Sequence, residues 1–130
     1  RKALLKGIKD GTIDMITSDH NPIDIEHKKM EFDGAKSGTI GMESAFGALM
    51  TVLPLEIVIE KLTSGKETFG IELQIINEGS RANFTLFNPV PKSLFTKSSI
   101  LSKSKNSAFL DMKLQGKVYG IVNQDQLILA

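Results

Sequence analysis

Hydrophobic residues follow three different spacings along this chain, and the order of those spacings limits the folds open to it. Residues 12–17, TIDMIT, are largely apolar or β-branched, which predicts a short strand. From Gly41 the apolar residues recur every three or four positions, which predicts two helices separated at Pro54. After Gly70, short alternating stretches between Gly, Asn and Pro predict several strands. This order predicts the end of an α/β unit followed by a small all-β region.

Each of the two predicted helices carries one apolar face. Pro54 cannot lie inside a helix but fits the first turn of one, so it separates the two. Helices with such faces gain most of their stability from packing, and we expect both faces to be buried. The residues of these faces are Met42, Phe46, Leu49 and Leu53 in the first helix and Leu55, Val58, Ile59 and Leu62 in the second.

The remaining stretches predict shorter elements. Residues 3–8 have the pattern of the last turns of a helix, and Gly11 suits the left-handed residue that follows one. Residues 19–38 form a polar connection without a clear period, and connections beyond about 12–15 residues are usually functional or disordered. We expect strands at residues 84–89, 111–116, 117–122 and 127–130, and a Ser- and Lys-rich surface loop at residues 96–107.

Composition excludes several classes of protein. The 130 residues are 41% hydrophobic and 24% charged, which is typical of one soluble globular domain. Sixteen basic and fifteen acidic side chains leave a net charge of +1, so no overall field favours nucleic acid or an anionic membrane. No apolar run approaches the roughly 20 residues that span a bilayer. The absence of cysteine agrees with a cytoplasmic protein.

The stretch MITSDHNP, residues 15–22, places an acid and an imidazole at the end of the predicted strand. In (β/α)₈ barrels, catalytic groups collect at the carboxyl ends of the strands. Asp19 at such an end can bind a metal ion, accept a proton from metal-bound water and return it to a leaving amine. Asp19 equally fits a cap of the turn before Pro22, and His20 a hydrogen-bonded structural residue. The residues alone leave these alternatives open.

Other candidate sites are weaker. Two histidines and no cysteine cannot build a closed zinc site within this chain. Glu26 and His27 are adjacent rather than on one helix face, so we expect them to be solvated. Residues 34–41, GAKSGTIG, lack the signature of a phosphate loop, and their glycines favour a close approach of the backbone to another group. The basic residues Lys97, Lys103 and Lys105 have no interleaved aromatic residues, which disfavours nucleic-acid binding.

Taken in order, the motifs resemble the carboxyl-terminal third of the dihydroorotases, cyclic amidohydrolases related to allantoinases and hydantoinases. The resemblance lies in DGTIDMITSDHNP and in EHKKMEFDGAKSGTIGMESAFGAL, and it extends through EKLTSGKETFGI, GSRANFTLFNP and SKSKNSAFLDMKLQGKVYGIV. The family pattern reads Asp-His-x-Pro, then Glu-x-Lys, then Ala-x-x-Gly-x-x-Gly-x-Glu. The residues that match it are Asp19, His20, Pro22, Glu26, Lys28, Ala35, Gly38, Gly41 and Glu43.

The resemblance implies a fold and a reaction. It implies the last strand and helices of a metal-dependent (β/α)₈ barrel in residues 1–70, followed by part of a small β-sandwich in residues 71–130. Asp19 would ligate one zinc ion and transfer the proton, with one or two zinc ions in the complete protein. Ser37 and Gly38 would contact the substrate, and His20 would support the site. The reaction would interconvert dihydroorotate and N-carbamoyl-aspartate in pyrimidine synthesis.

Departures from the family pattern limit what this chain can do alone. Ile23 stands where many relatives have a second histidine that helps to hold the substrate carboxylate. Lys36 replaces a common proline, and Asn83 stands where an Ala-Asp pair is common. The His-x-His, the carboxylated lysine and the two further histidines of the family are missing. Because the chain starts at Arg1, we expect a carboxyl-terminal piece of a longer enzyme that is inactive by itself.

Two other functions stay open at this point. A non-catalytic dihydroorotase-like subunit would keep the fold as a scaffold, for example beside aspartate carbamoyltransferase, and Ile23 favours that reading while Asp19 opposes it. A related cyclic amidohydrolase of the hydantoinase or allantoinase type is the second. We expect a small-molecule substrate and a homo-oligomer, because one barrel strand cannot satisfy its edges or bury both faces alone. We expect no nucleic-acid or membrane partner.

Overall fold

A computed structural model describes residues 1–129, in which helices precede a three-stranded sheet. The chain is therefore α/β, as its changing hydrophobic period predicts. Within residues 1–129 no helix combines the length and the apolar character needed to cross a bilayer. The helices are α1 (Lys2–Lys9), α2 (Met42–Met50), α3 (Leu55–Thr63) and α4 (Gly65–Thr68); the strands are β1 (Asn83–Leu94), β2 (Lys113–Asn123) and β3 (Gln126–Leu129); a 3₁₀ turn spans Lys97–Ser99.

The predicted helix boundaries are largely confirmed. Gly11 follows α1 with a φ of 82°, the left-handed conformation that glycine adopts without strain. Pro54 is the extended residue before α3, with φ −67° and ψ 153°, where its missing N–H costs no helical hydrogen bond. Residues 19–38 contain no helix or strand, in agreement with a long connection.

The predicted strand at residues 12–17 is wrong. A strand exists only where a neighbouring segment pairs with its N–H and C=O groups. In the part of the chain that the structure describes, no strand lies beside residues 12–17. The backbone N–H of Ile16 instead donates to the Lys61 carbonyl of α3, at 2.9 Å. Asp19 therefore follows an irregular segment rather than the end of a strand.

The predicted buried faces of the helices are also wrong at one position each. Met42 is 69% exposed and Ile59 is 36% exposed. The buried side of α2 contains Gly47, where an added Cβ would lie 3.0 Å from the Leu114 side chain of β2. The sheet therefore packs on the small residues of α2, which turns Met42 towards the surface. The buried residues of these helices are Ser44, Gly47 and Met50 in α2 and Val58 and Lys61 in α3.

The sheet is antiparallel, in the order β1–β2–β3. The strands predicted at residues 84–89 and 127–130 correspond to β1 and β3, with residue 130 outside the described residues. The separate strands predicted at residues 111–116 and 117–122 are wrong, because the chain continues through Gly116 as the single strand β2.

The register of the sheet slips between Asn88 and Lys92, where Pro89 and Pro91 lack the N–H that a ladder needs. β1 tolerates both prolines because it is an edge strand of the described sheet. The register pairs Asn83 with Asn123 and Leu94 with Lys113 in β1–β2, and Gly120 with Leu129 in β2–β3.

Two small clusters of buried side chains form the core. The first joins the sheet to the segment before α2 and comprises Ile40, Phe95, Ile100 and Leu114. The second lies among the helices and comprises Met50, Leu53 and Val58. Because Ala48 packs on the first cluster and Phe46 and Leu49 pack on the second, α2 holds the two clusters together. The amino-terminal end of α2 is consequently held in place by packing on both clusters, and the motif residues lie around it.

Candidate functional site

Asp19 lies in the irregular segment before α2 and is exposed. Its φ of 42° is in the left-handed region, which aspartate adopts more readily than most other residues with a side chain. Within residues 1–129 no hydrogen bond links its carboxylate to the following turn, which disfavours a capping role. The carboxylate is therefore accessible for binding.

His20, the next residue, is committed to the structure. Its Nδ1 accepts hydrogen bonds from the backbone N–H groups of Gly41 and Met42, each at 3.2 Å. These are orphan donors at the start of α2, so the imidazole caps that helix from a distant part of the chain. Because Nδ1 accepts, the proton is assigned to Nε2, which lies 3.4 Å from the Ser102 hydroxyl and donates to it. Both ring nitrogens are engaged, so His20 supports the segment rather than offering a ligand.

Glu43 extends this network to Ser102. The Ser102 N–H and hydroxyl both donate to Oε1 of Glu43, at 2.8 Å and 2.5 Å. Burial would raise the pKa of the Glu43 carboxyl, but the hydrogen bonds from Ser102 and from the Glu43 backbone, together with the nearby His20, outweigh it, and the pKa lies below its ordinary value of 4.5. Oε2 of Glu43 is buried without a hydrogen-bond partner in residues 1–129 and lies 4.0 Å from Nδ1 of His20. The carboxylate thus faces the imidazole as well as the serine.

Residues 102–106, SKSKN, form an irregular segment that we call the clasp. Ser104 donates its hydroxyl to the Ile23 carbonyl at 2.7 Å. The Asn106 side-chain amide donates to the Gly38 carbonyl at 3.1 Å, and its backbone carbonyl accepts from the N–H of Ile40 at 2.9 Å. The sequence predicted only a surface loop here. The available signal was the strict alternation of Ser or Asn with Lys, in which the former are half-buried and the lysines exposed.

The two residues proposed to contact substrate lie next to this network. Ser37 is exposed, and Gly38 has a φ of 134°, which disfavours any side chain. A Cβ on Gly38 would lie 2.7 Å from Nδ2 of Asn21 and 3.0 Å from Cγ1 of Ile23. The N–H of Asn21 also donates to the Thr39 carbonyl at 3.0 Å. The fold therefore brings the stretch after Asp19 against the stretch around Gly38, as a site would require.

Other sequence candidates lie apart from this network. Nδ1 of His27 contacts the Asp24 carboxylate at 2.5 Å, and Glu26 beside it is exposed. The hydrogen bond from His27 lowers the pKa of Asp24. Nζ of Lys28 donates to the Lys36 carbonyl and closes the loop between them. These contacts have a local structural role.

The described residues do not themselves fit a zinc ion. No group of three or more His, Asp or Glu side chains in residues 1–129 is placed to hold a metal. Asp19 has an accessible carboxylate, while His20 has both ring nitrogens occupied. A groove of about 610 Å³ beside α2 includes Glu43 and several apolar side chains but not Asp19. Among the described residues Asp19 is therefore the candidate ligand, and this groove does not enclose it.

Curated proteins match this chain along nearly its whole length. The chain is 35% identical over 136 residues to a protein named dihydroorotase from Chlorobaculum tepidum, which covers 99% of this chain. It is 38% identical over 121 residues to a dihydroorotase from Bacillus cereus, which covers 88% of this chain. The chain belongs to the dihydroorotase family of cyclic amidohydrolases. The alignments span 31% and 28% of those two relatives, so the chain corresponds to about a third of a family member.

Solved structures agree with this family assignment at the level of the fold. A D-hydantoinase (dihydropyrimidinase) from Thermus sp. superposes with a TM-score of 0.80 at 20% identity, over 99% of this chain and 32% of that one. A dihydropyrimidinase from Brevibacillus agri gives 0.79 at 21% identity, over 98% and 30%. The sequence matches no protein-family profile. The resemblance drawn from the motifs is thus confirmed by whole-chain similarity.

Proposed function

We propose that this chain is the carboxyl-terminal part of a zinc-dependent dihydroorotase, which reversibly hydrolyses (S)-dihydroorotate to N-carbamoyl-L-aspartate in pyrimidine synthesis. The observation that carries the proposal is the similarity to proteins named dihydroorotase over 88% to 99% of the chain. Residues 1–70 would complete a barrel and residues 71–130 a β-sandwich of the whole enzyme. The enzyme would act in the cytoplasm as a homo-oligomer, with aspartate carbamoyltransferase as a candidate partner.

In this proposal Asp19 moves the proton of the reaction. Its carboxylate accepts a proton from the water that attacks the ring carbonyl carbon, and it returns that proton to the ring nitrogen as the C–N bond breaks. One proton of the water ends on the ureido nitrogen, and the other is released to solvent when the new carboxylic acid ionises to a carboxylate, so the proton count balances. Zinc, when bound, would supply Lewis-acid stabilisation of the developing oxyanion, with Asp19 as this chain's ligand. The accessible carboxylate of Asp19 supports this role.

Ser37 and Gly38 would contact the substrate ring through their backbone groups. The positive φ of Gly38 and the close approach of Asn21 and Ile23 support a shaped wall rather than a mobile loop. Ile23 is apolar and cannot hold a substrate carboxylate. This favours a second candidate, a cyclic amidohydrolase of the hydantoinase type that acts on a ring without a carboxylate. The superposition with dihydropyrimidinases is compatible with that candidate.

A chimeric enzyme tests the proposal. The part of the Chlorobaculum tepidum relative that aligns with this chain is replaced by residues 1–130, and hydrolysis of dihydroorotate, dihydrouracil and hydantoin is measured. We expect activity on dihydroorotate. Asp19→Asn should lower kcat by about 10²–10⁴-fold, the usual contribution of a positioned general acid or base, whereas the exposed control Asp14→Asn should not. A preference for the two rings without a carboxylate would support the second candidate.

A folded, zinc-loaded chimera that hydrolyses none of the three rings would contradict both candidates and favour the scaffold function. The isolated chain gives the complementary result. Because residues 1–129 hold no three-residue metal site, we expect the purified 130-residue chain to bind no stoichiometric zinc and to hydrolyse none of these rings. Metal analysis by mass spectrometry and the same assays measure this, and clear turnover would refute the proposal that the site needs further chain.

A further inference from the structure

We propose that the clasp, residues 102–106, positions the catalytic segment around Asp19 and the substrate segment around Gly38. This inference rests on the proposed function for its catalytic meaning, and on hydrogen bonds between distant parts of the chain for its geometry. Ser102 and Asn106 are positioning residues: neither touches substrate, and each acts through another residue. Their partners are 59 to 82 residues away in sequence, so the clasp joins segments that local structure alone would leave independent.

The residues on both sides of Asp19 lie against the start of α2, and the first part of the clasp acts on the His20 side. On one side, Gly41 approaches the Ser18 carbonyl so closely that an added Cβ would lie 2.5 Å from that oxygen. On the other side, His20 accepts from the first two N–H groups of α2. Ser102 holds the far nitrogen of that imidazole. Both chain neighbours of Asp19 are therefore in contact with the start of α2.

Glu43 determines the direction in which the Ser102 hydroxyl donates its hydrogen bond. The Ser102 hydroxyl donates to Oε1 of Glu43 and so presents its lone pairs to Nε2–H of His20. The order of donation runs from the α2 backbone to His20, then to Ser102, then to Glu43, which returns to α2. A serine whose proton goes to a carboxylate is not activated by the histidine, so this trio is a brace and not a nucleophilic triad.

The second part of the clasp fixes the substrate wall. The Asn106 side-chain amide donates to the Gly38 carbonyl, and its backbone carbonyl accepts from the Ile40 N–H. Asn106 therefore bonds to the backbone on both sides of Thr39. Ser104 holds the Ile23 carbonyl, and Ile23 is one of the two side chains against Gly38. Lys103, between them, is exposed. One face of the clasp thus contacts the catalytic segment, the substrate segment and α2, while its other face is solvated.

Hydrogen exchange in the isolated 130-residue chain tests the geometry without any assay of activity. Ser102→Ala removes the acceptor of His20, and we expect the amide hydrogens of Gly41 and Met42 to exchange about tenfold faster. We also expect the Asp19 amide resonance to shift. Ser102→Thr, which keeps the hydroxyl, should restore both signals, and the exposed Lys103→Ala should change neither. Far-UV circular dichroism reports whether each variant stays folded.

The chimeric enzyme tests the catalytic meaning. Displacement of a reacting group by about 1 Å can cost on the order of 100-fold in rate, so Ser102→Ala should lower kcat by about 10- to 100-fold with KM nearly unchanged. Asn106→Ala should instead raise KM, because it releases Gly38. Ser102→Thr should recover most of the lost kcat. Lys103→Ala should match the unsubstituted chimera in both constants.

Three results would overturn the inference. Unchanged hydrogen exchange at Gly41 and Met42 in Ser102→Ala would show that the hydrogen bond from His20 to Ser102 does not hold this segment in place. Unchanged kcat and KM in both variants of an active chimera would remove its catalytic meaning, while the activity itself would uphold the proposed function. A loss of folded protein in Ser102→Ala that Ser102→Thr does not repair would reduce the clasp to a stability element. If the unsubstituted chimera is folded but inactive, the proposed function fails, and the Asp19 amide shift still decides whether the clasp fixes that residue.

Discussion

The region around the start of α2, which carries the motif residues, differs from the outer sheet, by which we mean β3, in how far its side chains are buried and hydrogen-bonded. Around the start of α2, half-buried polar side chains meet partners from three distant segments, and Ile40 beneath them is 1% exposed. In β3, Leu127, Ile128 and Leu129 are between 55% and 67% exposed. The segment before β1 is similar, with Ile75 71% exposed and Ile76 79% exposed. Side chains of the site region are therefore packed or hydrogen-bonded within residues 1–129, whereas the apolar side chains of the outer sheet remain largely exposed to solvent.

This contrast identifies the residues on which folding depends. Apolar groups contribute to stability in proportion to the area that they remove from water. The outer sheet removes little, so its side chains add little to the stability of this chain. The start of α2 combines apolar burial with satisfied hydrogen bonds, and substitutions there should cost the most. The following variants measure that difference, each with a partner variant from the less buried side.

Ile40→Ala should have the largest effect. Removing a buried isoleucine side chain leaves a cavity and typically costs about 2–5 kcal/mol of unfolding free energy. The matched variant Ile128→Ala changes a side chain that is 55% exposed, and it should stay within about 0.5 kcal/mol of the parent. Urea unfolding followed by far-UV circular dichroism measures both. Equal losses would mean that the outer sheet is packed as firmly as the site region.

Gly41→Ala should have an intermediate effect. Its new methyl group would lie 2.5 Å from the Ser18 carbonyl oxygen, and the backbone must shift to accept it. Such overpacking typically costs about 1–3 kcal/mol. Gly34→Ala is the control, since its nearest neighbour is the flexible Met30 sulfur at 3.3 Å. The same urea titrations compare them, and a harmless Gly41→Ala would show that the Ser18 contact is loose.

The smallest expected effect is on the pH dependence of the free energy of unfolding, through the Glu43 carboxyl. Its pKa is lowered in the folded chain, so its contribution to stability is complete above the ordinary value of 4.5 and is lost as pH falls through the folded pKa. Ser102→Ala removes one of the hydrogen bonds that cause this shift. Between about pH 6 and pH 3 the parent should therefore lose more stability than Ser102→Ala.

The carboxyls of Asp10 and Asp24 also have lowered pKa values, from hydrogen bonds with Thr12 and His27. Both are unaltered by Ser102→Ala, so they cancel in the difference between the two proteins. Unfolding free energies measured at a series of pH values give that difference. Parallel curves would show that Ser102 does not stabilise the charged form of Glu43.

The sequence predicted those elements whose signals are local. The helical spacing of residues 42–62 and the proline at position 54 predicted both main helices. The alternating stretches after Gly70 predicted where the sheet lies but divided β2 into two strands at Gly116, since glycine in a strand looks like a turn signal. The strand at residues 12–17 failed because β-branched composition records a preference, while a strand needs a neighbour to pair with. Met42 and Ile59 failed because the spacing of apolar residues does not say which side of a helix another element will cover.

The candidate site divides in the same way. Asp19, His20, Ser37 and Gly38 were selected from contiguous motifs, and the structure brings the two motif stretches together through Asn21 and Ile23. The contacts of the clasp could not be predicted from the sequence, because its partners are 59 to 82 residues away and no pattern in a single sequence encodes such a pairing. Its alternation of small polar residues with lysine was visible, but a run of this kind is usually a solvated loop.

The prolines of β1 have a consequence for how copies of this chain meet. An extended segment from another molecule that added itself along the outer border of β1 would need backbone donors at positions 89 and 91, and the ring nitrogens there carry no hydrogen. Amyloid-like stacking from that border is therefore interrupted at its centre. The opposite border, formed by β3, has no proline in residues 126–129, so its backbone donors are uninterrupted for pairing with a further strand.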